Sequence, residues 1–239
     1  MAIIYLHGFA SAGNGEKAAT LRRCLPDVRV EAPTLPPRPD DAIAVAAALV
    51  SDLRDAGDRR LLFVGTSLGG FYAWHLSAQF GVPAVLINPA IAPHEVTRRW
   101  IGSQRNHATG EMFDWRTEDV AELARMSQWL DLHGPRHRLT VIVAADDELL
   151  DSGQSVRFFD GSAAYLRVYD HGGHRFEDFD RLVPTIAAWH REAGAASRPP
   201  DGNVDQQAEP GSETPPRASS GSALGLGCDA DRSRTRRGS

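Results

Sequence analysis

Leu61-Leu62-Phe63-Val64-Gly65-Thr66-Ser67-Leu68-Gly69-Gly70 is the stretch on which the fold turns. Leu61–Val64 is a short, wholly apolar run, which reads as a strand buried on both faces. It runs straight into Gly65-Thr66-Ser67-Leu68-Gly69, a Gly-x-Ser-x-Gly pattern, and an apolar helix over Leu68–Gln79 leaves it. The bare pattern is common. Strand, tight turn, serine and helix in that order form a nucleophile elbow, in which a strained turn exposes the serine at the end of a strand. Gly65 and Gly69 lack a Cβ, so strand and helix can close around Ser67. The positive end of the helix dipole then faces the serine.

Outward from this turn, strand and helix alternate. Strands are expected at Ala2–Leu6, Val28–Glu31, Ala84–Ile87, Leu139–Ala144 and Ala164–Tyr169. Helices are expected at Glu16–Leu25, from Asp40 or Asp41 (as the cap) to about Arg54, and at Arg175–Arg191. Four prolines in Pro33–Pro39 make that stretch an irregular loop. The alternation implies an α/β fold with a mostly parallel sheet and helices on both faces. About fifty residues between Ile87 and Leu139 are too many for a simple connection. They hold Trp100, Trp115 and Trp129, with helical spacing at Val120, Leu123, Ala124 and Trp129. This insertion, about residues 90–138, reads as a small helical cap over the C-terminal edge of the sheet, where ligands bind. The competing reading is a helical insertion that fills core.

The chain has 239 residues, and 42% are hydrophobic, enough for a sizeable core. No apolar run is long enough for a membrane span. The beginning, Met-Ala-Ile-Ile-Tyr-Leu-His-Gly, has no basic leader or small-residue cleavage site. Cys24 and Cys228 are too few and too far apart for a disulfide framework, and a cytoplasmic location is expected. The net charge of -5 argues against a nucleic-acid binder. Lys17 is the single lysine among 26 basic residues, which reads as a bias of base composition. Residues 1–192 form the expected domain. Residues 193–239 contain no aromatic residue and few large aliphatics, so a disordered tail is expected.

A serine hydroxyl needs a general base. His174, in His171-Gly172-Gly173-His174 between the last strand and the closing helix, is the best placed of nine histidines. His171 is its neighbour and rival. His190 reads as a half-exposed helix residue. Gly134-Pro135 between His133 and His137 breaks the helix that a metal pair would need, so no metal is expected. The third member should be a carboxylate after a strand, between Ser67 and His174 in sequence. Asp146 and Asp147 follow Val141–Ala145, and spacing alone hardly separates them; Asp151 is better placed to start a helix. Two N–H donors should hold an oxyanion. Leu68 supplies one, and Phe9, in the His7-Gly8-Phe9-Ala10 loop after the first strand, supplies the other. His7 reads as a structural residue of that loop. Gly13-Asn14-Gly15-Glu16-Lys17-Ala18 has neither a third dinucleotide glycine nor a Gly-Lys-Ser/Thr, so no cofactor is expected.

Together these segments resemble the small bacterial YqiA-like esterases of the α/β-hydrolase superfamily over about residues 2–190. The resemblance rests on Tyr5-Leu6-His7-Gly8-Phe9, Leu35-Pro36-Pro37-Arg38-Pro39 and Gly65–Ala73. It continues through Asn88-Pro89-Ala90, Thr109-Gly110, Asp147-Glu148-Leu149-Leu150-Asp151 and Gly172-Gly173-His174. The resemblance implies Ser67 as nucleophile and His174 as base, and it favours Asp147 over Asp146 as the acid. Arg105-Asn106-His107-Ala108 departs from the usual family wording, and the tail is additional. The expected activity is hydrolysis of carboxylic esters or acyl thioesters of small molecules, with no metal or organic cofactor. A hydrolase-fold scaffold that binds an acyl ligand or a protein without turnover is the alternative. A peptidase or a lactonase is the alternative within enzymes. The oligomeric state is not legible.

Overall fold

The computed structural model describes residues 2–192; the expected tail, including Cys228, lies outside the described residues. The elements run β1 (Ala2–Leu6), α1 (Glu16–Cys24), β2 (Arg29–Glu31), α2 (Pro39–Asp55), β3 (Leu61–Thr66), α3 (Leu68–Phe80) and β4 (Ala84–Ile87). They continue with α4 (Pro93–Thr97), β5 (Gly102–Arg105), β6 (Met112–Trp115), α5 (Thr117–His133), β7 (Leu139–Ala144), α6 (Ser152–Phe159), β8 (Tyr165–Tyr169) and α7 (Val183–Glu192). Six strands form one sheet in the order β2-β1-β3-β4-β7-β8, and every pairing in it is parallel.

Period-two alternation divides the sheet between two apolar layers. Ile4 and Leu6 of β1 and Phe63 of β3 face one layer, with Ala46 and Val50 of α2, Phe71 of α3 and Leu123 of α5. Ile3, Tyr5, Leu62 and Val64 face the other, with Leu21 of α1 and Ile186 of α7. Chain direction across the sheet reverses between β1 and β3, so the loops leaving these strands diverge and open a crevice at their carboxyl ends. This is an α/β-hydrolase arrangement.

Local chemistry moves several expected boundaries. Asp40 and Asp41 do not cap α2. The helix starts at Pro39, whose fixed φ suits the first helical position, and both acids lie in its first turn. The closing helix starts at Val183 rather than Arg175, because Phe176 has a φ of 50° and Phe179–Leu182 form a 3₁₀ turn. The insertion is not wholly helical. β5 and β6 pair as an antiparallel hairpin, which the sequence reading did not include. α5 buries Val120, Leu123 and Leu130 in the main core, so this part of the insertion does fill core. His190 is buried, not half-exposed. Cys24 is also buried.

Candidate active site

Ser67 sits between β3 and α3 with φ 55° and ψ -122°, a conformation an L-residue holds only under constraint. Its N–H donates to the Ile87 carbonyl (3.0 Å), and its carbonyl accepts from Ala90 (3.2 Å). The flanking glycines are obligatory here. A Cβ on Gly65 would lie 2.1 Å from the Gly69 carbonyl oxygen, and one on Gly69 would lie 2.1 Å from that of Leu6.

The structure brings Ser67, His174 and Asp147 into one hydrogen-bonded chain. His174 Nε2 lies 3.0 Å from Ser67 Oγ. His174 Nδ1 lies 2.9 Å and 3.0 Å from the two Asp147 carboxylate oxygens. Asp147 Oδ1 also accepts the N–H groups of Leu149 (2.8 Å) and Leu150 (2.9 Å). Burial pushes the Asp147 carboxyl up, but the bonds from His174, Leu150 and Leu149 prevail and hold it below the usual carboxylate range. An ionised acceptor at Nδ1 keeps the proton on that nitrogen and leaves Nε2 free to take one from the serine.

Asp146 and His171 have other places. Asp146 accepts from the Gly173 N–H at 2.8 Å, and His171 stands 3.6 Å from it on the exposed side. Glu148 accepts from the His174 N–H at 2.8 Å. The sequence reading missed Asn88 as a positioning residue, although it quoted Asn88-Pro89-Ala90. Buried, with φ 42°, Asn88 donates through Nδ2 to the carbonyls of Gly173 (2.9 Å) and His174 (3.1 Å). Its Oδ1 accepts from the Ala144 N–H at 2.8 Å. One side chain thus ties the ends of β4 and β7 to the histidine loop.

The loop after β1 approaches the serine from the other side; a Cβ on Gly8 would lie 3.4 Å from Ser67 Cβ. His7 holds this loop. Its Nδ1 bonds to the Gly8 carbonyl (2.8 Å), while its Nε2 accepts from the Leu35 N–H (2.9 Å). That acceptor role assigns the proton to Nδ1 and keeps the ring neutral. Burial lowers its pKa, and the Gly8 bond offsets only part of that. Phe9 and Leu68 meet at a hollow of about 30 Å³ beside this loop.

The cap is fastened to the same loop. The Phe9 ring stacks on Trp100 at 4.9 Å and meets Trp115 edge-on at 5.0 Å and Phe113 at 5.7 Å. The His107 N–H donates to the Ala10 carbonyl and Asn106 Nδ2 to that of Ser11, each at 2.8 Å. A cavity of about 620 Å³ opens between loop and cap. Ser67, His174, Phe9, Trp100 and Leu149 are among the residues that line it. Of the three cap tryptophans, only Trp100 reaches it. Trp115 is in the core, and Trp129 packs against His75 and His133.

Solved structures of the same architecture carry esterase and lipase titles. Est1E from Butyrivibrio proteoclasticus aligns with a TM-score of 0.63 at 14% identity, over 82% of this chain and 88% of its own. A monoacylglycerol lipase from Paleococcus ferrophilus aligns with a TM-score of 0.60 at 12% identity, over 80% of this chain and 94% of its own. These likenesses establish the α/β-hydrolase fold. Within that fold the chain belongs to the uncharacterised protein family UPF0227, the YqiA-like family, whose model matches residues 2–191. A UPF0227 protein of Yersinia enterocolitica is 30% identical over 193 residues, which span 78% of this chain and 97% of that relative.

Proposed function

We propose that this protein is a serine hydrolase that cleaves carboxylic esters or acyl thioesters of small molecules. The observation that carries the reading is the hydrogen-bonded chain from Ser67 through His174 to Asp147, at a strained elbow that faces a roomy cavity. His174 takes the Ser67 proton as Oγ attacks the acyl carbonyl. The Leu68 and Phe9 N–H groups stabilise the oxyanion. His174 then protonates the leaving alcohol or thiol, and the acyl group stays on Ser67. A water molecule, deprotonated in turn by His174, releases the acid and restores the serine. Asp147 stabilises the imidazolium formed in both halves. These steps use side chains and backbone donors alone. Phe9, Trp100 and Leu149 give the cavity an apolar wall that suits a short or medium acyl chain.

The test is hydrolysis of p-nitrophenyl esters of increasing acyl length by wild type and Ser67→Ala. Wild type is expected to turn over, with an optimum chain length that sizes the pocket. The variant is expected to lose about three orders of magnitude or more in kcat. Equal rates for the two folded proteins would overturn the reading in favour of a scaffold without turnover.

A further inference from the structure

Away from Ser67, the wall of the large cavity carries two cationic side chains, Lys17 from the first turn of α1 and the exposed Arg175 next to His174 in sequence, together with one carboxylate, Glu16. Lys17 is half-buried, and neither residue has a carboxylate within 4.0 Å among the described residues. Lys17 Nζ lies 5.7 Å from the centre of the Phe179 ring. Burial lowers its pKa, and the charge of Arg175 lowers it further, while Glu16 and Glu177 only partly compensate. Two like charges therefore share one wall, Lys17 half-buried and Arg175 exposed, in a chain whose net charge is -5. An anion held by both would relieve the repulsion and give the half-buried Lys17 ammonium a charged partner.

The sequence adds an independent observation. Arginine serves at every other position among the Lys and Arg residues, and the one lysine is among the residues that line this cavity. A base-composition bias explains the arginines but not the exception. A lysine ammonium on a flexible four-carbon stem is a mobile point charge that can meet a carboxylate or phosphate.

We propose that Lys17 and Arg175 bind an anionic group, a carboxylate or a phosphate, on the substrate, at a distance from the bond that is cleaved. The inference rests on the serine-hydrolase reading for the identity of that bond. The anion belongs either to the acyl part or to the leaving group, and paired esters distinguish the two. For the acyl part the pair is 4-nitrophenyl hydrogen adipate and 4-nitrophenyl hexanoate. For the leaving group it is 4-carboxyphenyl butyrate and 4-carbamoylphenyl butyrate.

In wild type, the anionic member of one pair is expected to exceed its neutral partner in kcat/KM by about tenfold or more, mainly through KM. Lys17→Met is expected to abolish that preference, Lys17→Arg to retain most of it, and Arg175→Gln to reduce it. A wild type indifferent to charge in both pairs would overturn the proposal, as would a folded Lys17→Met that keeps the preference. Calorimetric binding of all four esters to Ser67→Ala separates the two readings. If wild type hydrolyses none of the four esters, the hydrolase reading fails. Selective binding of the anionic member of either pair, lost on adding Lys17→Met, would still support the anion site, and equal binding within both pairs would overturn it.

Discussion

Asn88 shows how much of the site hangs on one uncharged side chain. Its amide joins the ends of β4 and β7 to the histidine loop, and its two donated bonds hold the carbonyls on either side of the His174 Cα. Asn88→Asp keeps the shape and the acceptor but removes both donors and sets a negative charge against two carbonyls. It is expected to lower kcat more than it changes KM, and to destabilise the fold by about 1–3 kcal/mol. Ester kinetics and thermal denaturation check both effects. Asp147→Asn would leave the imidazole without the acceptor that sets its tautomer. A fall in kcat of about three to four orders of magnitude is expected, with little change in KM. Asp146→Asn should cost far less, because Asp146 bonds the Gly173 N–H and not the ring. Ser67 and His174 were legible because a nucleophile must follow a strand at a glycine turn and a base must follow the last strand. Separating Asp147 from Asp146 took the family resemblance, because both follow the same strand. Asn88 was legible only as a quoted motif. An amide that works by joining distant backbone groups has no local signature.

At the level of elements, the elbow is a packing problem before it is a chemical one. Gly65→Ala would push a Cβ to 2.1 Å from a backbone oxygen that cannot retreat without moving α3. A loss of about 3 kcal/mol or more in stability is expected, measured by denaturant unfolding. Strands β1, β3, β4 and β7 were legible because a central parallel strand is a short, continuous apolar run. The β5–β6 hairpin was not. Its strands are mostly exposed, and Gly102-Ser103-Gln104-Arg105 carries no apolar alternation to read. The start of α7 was misplaced for a related reason. Arg175–Leu182 has acceptable helical composition, and tertiary packing of Phe176 and Phe179 overrides it.

Across the whole molecule, two histidines link stability to pH. Burial lowers the pKa of His7, and that of His75 is pushed down to about 4. The unfolded chain protonates both near the ordinary value of about 6.5, where the folded chain does not. The unfolded state then binds more protons, so stability falls as pH drops from about 6.5 toward 4. Melting temperatures measured from pH 8 to pH 4.5 should decline over that window, and His75→Phe should flatten the decline. Below it, protonation of Asp147, whose carboxyl sits below the usual range, adds a further loss. The order of elements and the two covered faces of the sheet were legible from alternation alone. The shape of the cavity was not, because it depends on how the insertion folds back. That return has a consequence for redesign. Phe9 places its ring among the cap aromatics and lines the cavity that holds Ser67, and in the proposed mechanism its backbone N–H is an oxyanion donor, so one residue would serve both the chamber and the reaction centre. Substrate range and turnover are therefore not independent variables in this protein. On the proposed mechanism, a library that enlarges the chamber at Trp100 or Phe113 is expected also to shift the oxyanion donor, and variants selected for longer substrates are expected to carry altered rate constants on short ones.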